Sequence, residues 1–184
     1  MPASGKGTFA EVARELNIPV IVMGDIVRRE TLKRGFDLTP ENIRRTAIEL
    51  RKEHGEDVIA RMVIEEIKRK YSNECIVLVD GSRTPKEIEV LKREFRVMII
   101  GIEAPFEVRL KRLALRGRED DIGNVSEILR KREEMELKLG LGEVLRMADV
   151  TLVNDKDIES FKGKVRALLV ELIKEFCGPT TFRS

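Results

Sequence analysis

The sequence predicts an α/β fold: a doubly wound parallel sheet with helices on both faces. Three observations predict it. Short apolar runs alternate with longer amphipathic stretches, the pattern of strands joined by crossover helices. The clearest run, Cys75-Ile76-Val77-Leu78-Val79-Asp80, is apolar on both faces, as strands of parallel sheets are. The chain also opens on Pro2-Ala3-Ser4-Gly5-Lys6-Gly7-Thr8, which runs straight into the helical stretch Phe9 to Leu16.

That opening is a phosphate-binding loop. Small residues let the backbone curl so that successive N–H groups, from Ala3 to Thr8, point into one cavity, and the helix N-terminus adds partial positive charge. Lys6 would reach the β- and γ-phosphates of a nucleotide, and Thr8 offers a hydroxyl to Mg²⁺. The full pattern of a P-loop NTPase is G-x-x-x-x-G-K-[ST]. Its first glycine would fall one place before Met1, and Gly7-Thr8 stands where a direct Ser/Thr is usual. A buried strand precedes the loop in this motif, and that first strand is absent from this sequence. The expectation is therefore either residues upstream of Met1 or a sheet whose middle position is empty or borrowed.

The remaining elements follow in order. Ile18 to Met23 is a buried strand leading into Gly24-Asp25 and a helix through Arg34. Thr39-Pro40-Glu41 starts a helix, with a capping hydroxyl and proline at the first helical position. That helix runs to His54, and another runs from Glu56 to Lys70. After the Cys75–Asp80 strand, Thr84-Pro85-Lys86-Glu87 is a capping box. Arg96 to Gly101 is a third strand, Pro105 to Arg116 a helix and Gly117 to Asn124 a charged loop. A helix to Leu139, a strand over Asp149–Val153 and a closing helix over Ile158–Phe176 complete the chain.

One domain suits 184 residues. A net charge of +2 argues neither for nor against nucleic acid, but charged residues make up 37% of the chain, aromatics only 4%, and glutamine is absent. Lys, Glu and Arg in place of thermolabile amides is the signature of hot environments. Neither a signal peptide nor a long apolar stretch is seen, so the chain reads as cytoplasmic. Its expected partners are small-molecule nucleotides, with no nucleic acid and no membrane, and its oligomeric state is open. Cys75 reads as a small buried hydrophobe and Cys177 as a tail thiol, neither metal ligands nor a disulfide framework. His54 reads as a surface residue.

The opening Pro-Ala-Ser-Gly-Lys-Gly-Thr-Phe resembles the phosphate loop of adenylate kinases, G-x-P-G-x-G-K-G-T. Met23-Gly24-Asp25-Ile26-Val27-Arg28 resembles their T-G-D-x-x-R segment, and Val79-Asp80-Gly81-Ser82-Arg83-Thr84 their L-D-G-F-P-R-T, shortened by one residue. Arg112 and Arg116 are spaced like lid arginines. Arg118-Glu119-Asp120-Asp121 followed by Arg130 and Arg132 resembles R-x-D-D and a further arginine. In this order the matches resemble the nucleoside monophosphate kinase superfamily, with the archaeal adenylate-kinase-related group closest and dephospho-coenzyme A kinases also similar. The resemblance implies a helical acceptor-binding insertion at residues 35–72 and a short lid at 112–132. Ser82-Arg83 lacks the proline of D-G-F-P-R, and the last arginine is offset by about one residue.

The resemblance also assigns roles. ATP or GTP would be the donor, held by Ala3 to Thr8 and Arg116, together with Asn154, which like Asp25 and Asp80 falls at the carboxyl end of a predicted strand, where open parallel sheets bind ligands. Lys6, Asp25, Arg112 and Arg118 would be catalytic. Asp25, Arg28, Arg83 and Arg130 would bind the acceptor, and Thr8 with Asp80 would hold Mg²⁺. The chemistry suits these residue types, because phosphoryl transfer needs positioning and charge neutralisation, and planar guanidinium groups grip phosphate with two bonds. Structural roles compete for several. Arg109 to Arg112 would ordinarily be a solvated helix face, Asp25 can be an N-cap, and Asp80 can cap a turn. Three functions stay open: a nucleoside monophosphate kinase, a dephospho-coenzyme A kinase, and a nucleotide-binding regulator that hydrolyses slowly.

Overall fold

The computed structural model of the chain describes residues 1–116 and 124–178, without the side chain of Arg116. The elements run α1 (Lys6–Glu15), β1 (Val20–Val22), α2 (Met23–Lys33), α3 (Pro40–His54), α4 (Val58–Lys70), β2 (Leu78–Asp80) and α5 (Pro85–Glu94). Then follow β3 (Ile100–Glu103), α6 (Phe106–Arg116), α7 (Val125–Lys138), α8 (Leu141–Arg146), β4 (Val150–Val153) and α9 (Ile158–Cys177).

Helix starts follow local chemistry. Thr39 Oγ1 accepts from the Asn42 N–H at 3.2 Å with Pro40 at the first helical position of α3. Thr84 and Glu87 form a reciprocal capping box on α5. Asn124 and Asp157 cap α7 and α9 through their side chains.

Two apolar layers cover opposite faces of the strands. On one side Ile21, Met23, Ile26, Val63, Ile64 and Leu91 pack β1 against α2, α4 and α5. On the other Phe9, Val12, Ile102, Phe161, Val165 and Leu169 pack α1 and α9 together. Spacings of three and four residues put each set on one helix face.

The sheet itself is split. β1 pairs with β2 in parallel, Val22 opposite Asp80, and β3 pairs with β4 in parallel, Ile100 opposite Val150. The two pairs form separate sheets among the described residues, and a cleft of about 610 Å³ lies between β2 and β3. Val77, Val79, Val97 and Ile99 line it, as does Met1. Burial there lowers the Met1 amine to about 6, with Lys6 and Arg109 adding to the effect. The described residues thus form two parallel strand pairs rather than one continuous sheet.

The split also corrects strand lengths. Cys75–Asp80 and Arg96–Gly101 read as full strands, yet pairing is confined to Leu78–Asp80 and Ile100–Glu103. β2 and β3 each have a neighbour on only one side, so the ladder covers only the residues that neighbour reaches. α2 starts at Met23, which puts Gly24 and Asp25 inside its first turn rather than before it. α8 has no counterpart in the sequence reading.

The two cysteines need the largest correction. Cys75 is exposed and forms a disulfide with Cys177, Cα to Cα 5.5 Å, across a separation of 102 residues. The 20-residue α9 spans roughly 30 Å, enough to return its C-terminal end to the segment ahead of β2. His54, in contrast, is exposed at the end of α3, 3.7 Å from Glu53.

Candidate functional site

The loop and α1 meet at Gly5, whose φ of +118° favours glycine. A Cβ there would come within 2.3 Å of Asn154 Nδ2 and 3.0 Å of Phe161 Cε1. The first helical bond runs from the Phe9 N–H to Gly5 O at 3.0 Å, so the N–H groups of Lys6, Gly7 and Thr8 precede the intrahelical ladder. No side chain caps this end. Lys6 and Gly7 are exposed and Thr8 is half-buried. Ala3 has a left-handed φ of 58°, and the buried Ser4 Oγ has no hydrogen-bond partner among the described residues. Donors aimed outward at a helix start form an anion seat.

Asn154, just past β4, clamps this loop. Its Nδ2 donates to Ser4 O at 2.8 Å, while its Oδ1 accepts from Arg112 Nη2 at 2.8 Å. Arg112 also donates to the backbone oxygens of Asn154 and Lys156, both at 3.3 Å. Asn154 therefore connects the loop to Arg112 of α6. Burial lowers the Arg112 pKa, but a guanidinium keeps its charge at neutral pH.

Asp80 ends β2, and Asp25 stands in the first turn of α2 directly after β1, so both lie at the carboxyl edge of the β1–β2 pair. This is where open parallel sheets bind ligands. Burial raises the Asp80 pKa, opposed by the charges of Lys6, Arg83 and Arg14 and assisted by Asp25. A desolvated carboxylate beside the loop lysine and a half-buried hydroxyl at Thr8 make a donor set that suits Mg²⁺, which needs few protein ligands when phosphates and water supply the rest. No group of three or more His, Cys, Asp or Glu able to hold a metal occurs among the described residues.

The other arginines are held by local partners. Arg28 Nη1 contacts Asp25 Oδ1 at 2.5 Å, both side chains being about half exposed. Arg83 Nε sits 2.9 Å from Glu136 Oε2 of α7. Arg130 is exposed, its guanidinium 5.5 Å from the centre of the Phe106 ring. Arg109 meets the same ring at 5.5 Å. The solvated-face reading of Arg109 to Arg112 does not hold. Arg109 is only 5% exposed and donates to Ala104 O at 3.0 Å and to Glu133 at 3.1 Å. Arg118, Asp120 and Asp121 lie outside the described residues, as does the side chain of Arg116.

Sequence reasoning missed the carboxylates facing these cations. Glu133 and Glu136 fall in the helix to Leu139 with no role assigned from sequence, and Glu87 in a capping box alone. Arg51 lies in α3 and pairs with Glu87 at 3.1 Å across 36 residues. Helical periodicity contains no signal for such pairs.

Comparison with known proteins places the chain among relatives. The AAA domain family matches residues 1–129. A UPF0200 protein of Methanococcus vannielii is 40% identical over 173 residues, covering 94% of this chain and 93% of the relative. A Hyperthermus butylicus UPF0200 protein is 41% identical over 172 residues, 94% of this chain and 91% of the relative. A UPF0200/UPF0201 protein of Archaeoglobus fulgidus is 44% identical over 175 residues, and the chain spans 54% of its length. The crystal structure of TT1252 from Thermus thermophilus superimposes with a TM-score of 0.57 at 22% identity, covering 93% of each chain, which shows a shared fold.

Proposed function

The chain belongs to the UPF0200 family and carries a P-loop domain of the AAA type, and from that premise we propose that it is a kinase moving the γ-phosphoryl group of ATP or GTP to a nucleoside monophosphate. The observation that carries this is that Lys6, at the open α1 N-terminus, and Arg83 both act on the half-buried Asp80 carboxylate at the end of β2, where Asp25 with its partner Arg28 also stands. In this reading Lys6 serves the donor, and Arg28 and Arg83 serve the acceptor. A protein that only binds or hydrolyses a triphosphate needs no second set. Small nucleotides would be its ligands, with no nucleic acid or membrane partner, in the cytoplasm. No described helix is long and apolar enough to cross a membrane.

In this mechanism Lys6 and the N–H groups of Gly5 to Thr8 hold the β- and γ-phosphates. Thr8 and Asp80 would hold Mg²⁺, which supplies charge neutralisation between those phosphates when bound. Arg112, fixed by Asn154, neutralises charge on the transferring group. Arg116 and Arg118 would join it from the lid. Arg28, Arg83 and Arg130 orient the acceptor phosphate in line, where fixed geometry alone removes a large part of the barrier. Filling the acceptor site requires the Asp25–Arg28 and Arg83–Glu136 contacts to yield to phosphate oxygens.

Asp25 separates this reaction from phosphorylation of a ribose hydroxyl. A phosphate acceptor is already an anion and needs no base, whereas a positioned carboxylate speeds attack by a hydroxyl about 10²–10⁴-fold. With AMP and Mg·ATP, Asp25→Asn is expected to alter turnover by less than about tenfold, measured in a coupled assay. A loss of a hundredfold or more, with dephospho-coenzyme A as the only good acceptor, would replace the monophosphate with a hydroxyl substrate.

A further inference from the structure

Glu87 has more partners than a helix cap requires. A capping-box glutamate needs one oxygen on the N-cap N–H. Here Oε2 accepts from the Thr84 N–H at 3.2 Å and also from the Arg83 N–H at 2.8 Å. The other oxygen, Oε1, accepts from Arg51 Nη2 of α3 at 3.1 Å. Glu87 is fully buried at 0% exposure. Arg51 also donates to Ala47 O at 3.4 Å, and its Nε is buried with no hydrogen-bond partner among the described residues. Gly24, Val27, Ala47, Arg51, Arg83 and Glu87 surround a small cavity between α2, α3 and the turn after β2. One carboxylate thus holds the backbone from which Arg83 springs and, through a charge-assisted bond, a helix of the acceptor-binding region.

We propose that Glu87 is a positioning residue that, with Arg51, couples the placement of α3 to the aim of Arg83, so that seating the acceptor on α3 and gripping its phosphate are one event. The proposal rests on the kinase function above. A buried carboxylate requires a partner, and the partner available to Oε1 is on α3. Movement of α3 therefore pulls on the carboxylate that sets the Arg83 and Thr84 N–H groups. The turn's other side-chain contacts, Ser82 Oγ to Met23 Sδ at 3.4 Å and Arg83 Nε to Glu136 at 2.9 Å, leave its Arg83 and Thr84 N–H groups to Glu87 alone among the described residues.

The test uses the full chain. In Glu87→Gln the remaining carbonyl oxygen can still accept from the turn, while the new NH₂ faces Arg51 and breaks the tie. The expected result is a rise of about tenfold or more in KM for AMP, with the Kd of Mg·ATP unchanged, since small misplacements of this kind cost up to ~10² in rate. Arg51→Met should behave likewise, and Arg51→Lys should recover part of the loss. Amide hydrogen exchange at Arg83 and Thr84, read in Arg51→Met, does not depend on turnover. Faster exchange there supports the coupling even if wild type phosphorylates no monophosphate, an outcome that would sink the kinase function alone. Unchanged exchange in Arg51→Met overturns the coupling, as does an equal weakening of AMP and Mg·ATP in Glu87→Gln.

Discussion

Lys6→Ala is expected to lower phosphoryl transfer by at least ~10²–10³-fold, the effect of removing one preorganised charge-stabilising donor from an active site. Lys6 is exposed at the first position of α1, and it forms no ion pair among the described residues. Its removal also takes a positive charge from a helix start, where cations are unfavourable. Folding stability should therefore stay within about 0.5 kcal/mol of wild type. The two measurements separate chemistry from folding: steady-state turnover should collapse while the thermal midpoint stays in place. Equal Mg·ATP binding and turnover by wild type and Lys6→Ala would remove the loop from the site.

The second large effect concerns the Cys75–Cys177 bond. Its separation of 102 residues places it near the upper end of the chain-entropy scale, about 4.7 kcal/mol for a loop of ~100 residues. Cys177→Ser, or reduction with dithiothreitol, should therefore lower the thermal midpoint by roughly 10 °C in a chain of this size. The bond ties the end of α9, which packs on α1 and the β3–β4 side, to the segment leading into β2. It thus bridges the two halves flanking the cleft, where no strand ladder joins them. Calorimetric unfolding of oxidised and reduced protein checks this, and coincident midpoints would mean the clasp contributes nothing.

Local features were legible in the sequence and distant ones were not. The phosphate loop could be read because its chemistry is contiguous: small residues Ala3, Ser4, Gly5 and Gly7 around Lys6, leading into an amphipathic helix with Phe9, Val12 and Ala13 on one face. The caps at Thr39 and Thr84 were legible for the same reason, each being closed within three residues. Strand lengths were not, because Val77 and Ile99 are as apolar as a paired strand but face a cleft instead of a neighbour. The acidic partners of the arginines also escaped. Glu133 and Glu136 meet Arg109 and Arg83 through tertiary packing that no period encodes. The disulfide joins residues whose surroundings give no hint of one another. Asn154 was placed at the site by its position after a strand, but its task of holding Ser4 and Arg112 emerges only from the fold.

Transfer itself can be followed with ATP labelled at the γ-phosphate, incubated with the protein, Mg²⁺ and an equimolar set of nucleoside monophosphates and dephospho-coenzyme A. The proposed kinase, with Lys6 on the donor and Arg28 and Arg83 on the acceptor, predicts label in a nucleoside diphosphate, appearing with Mg²⁺ and lost with Lys6→Ala. Label found only in inorganic phosphate, or only on coenzyme A, would contradict a monophosphate kinase.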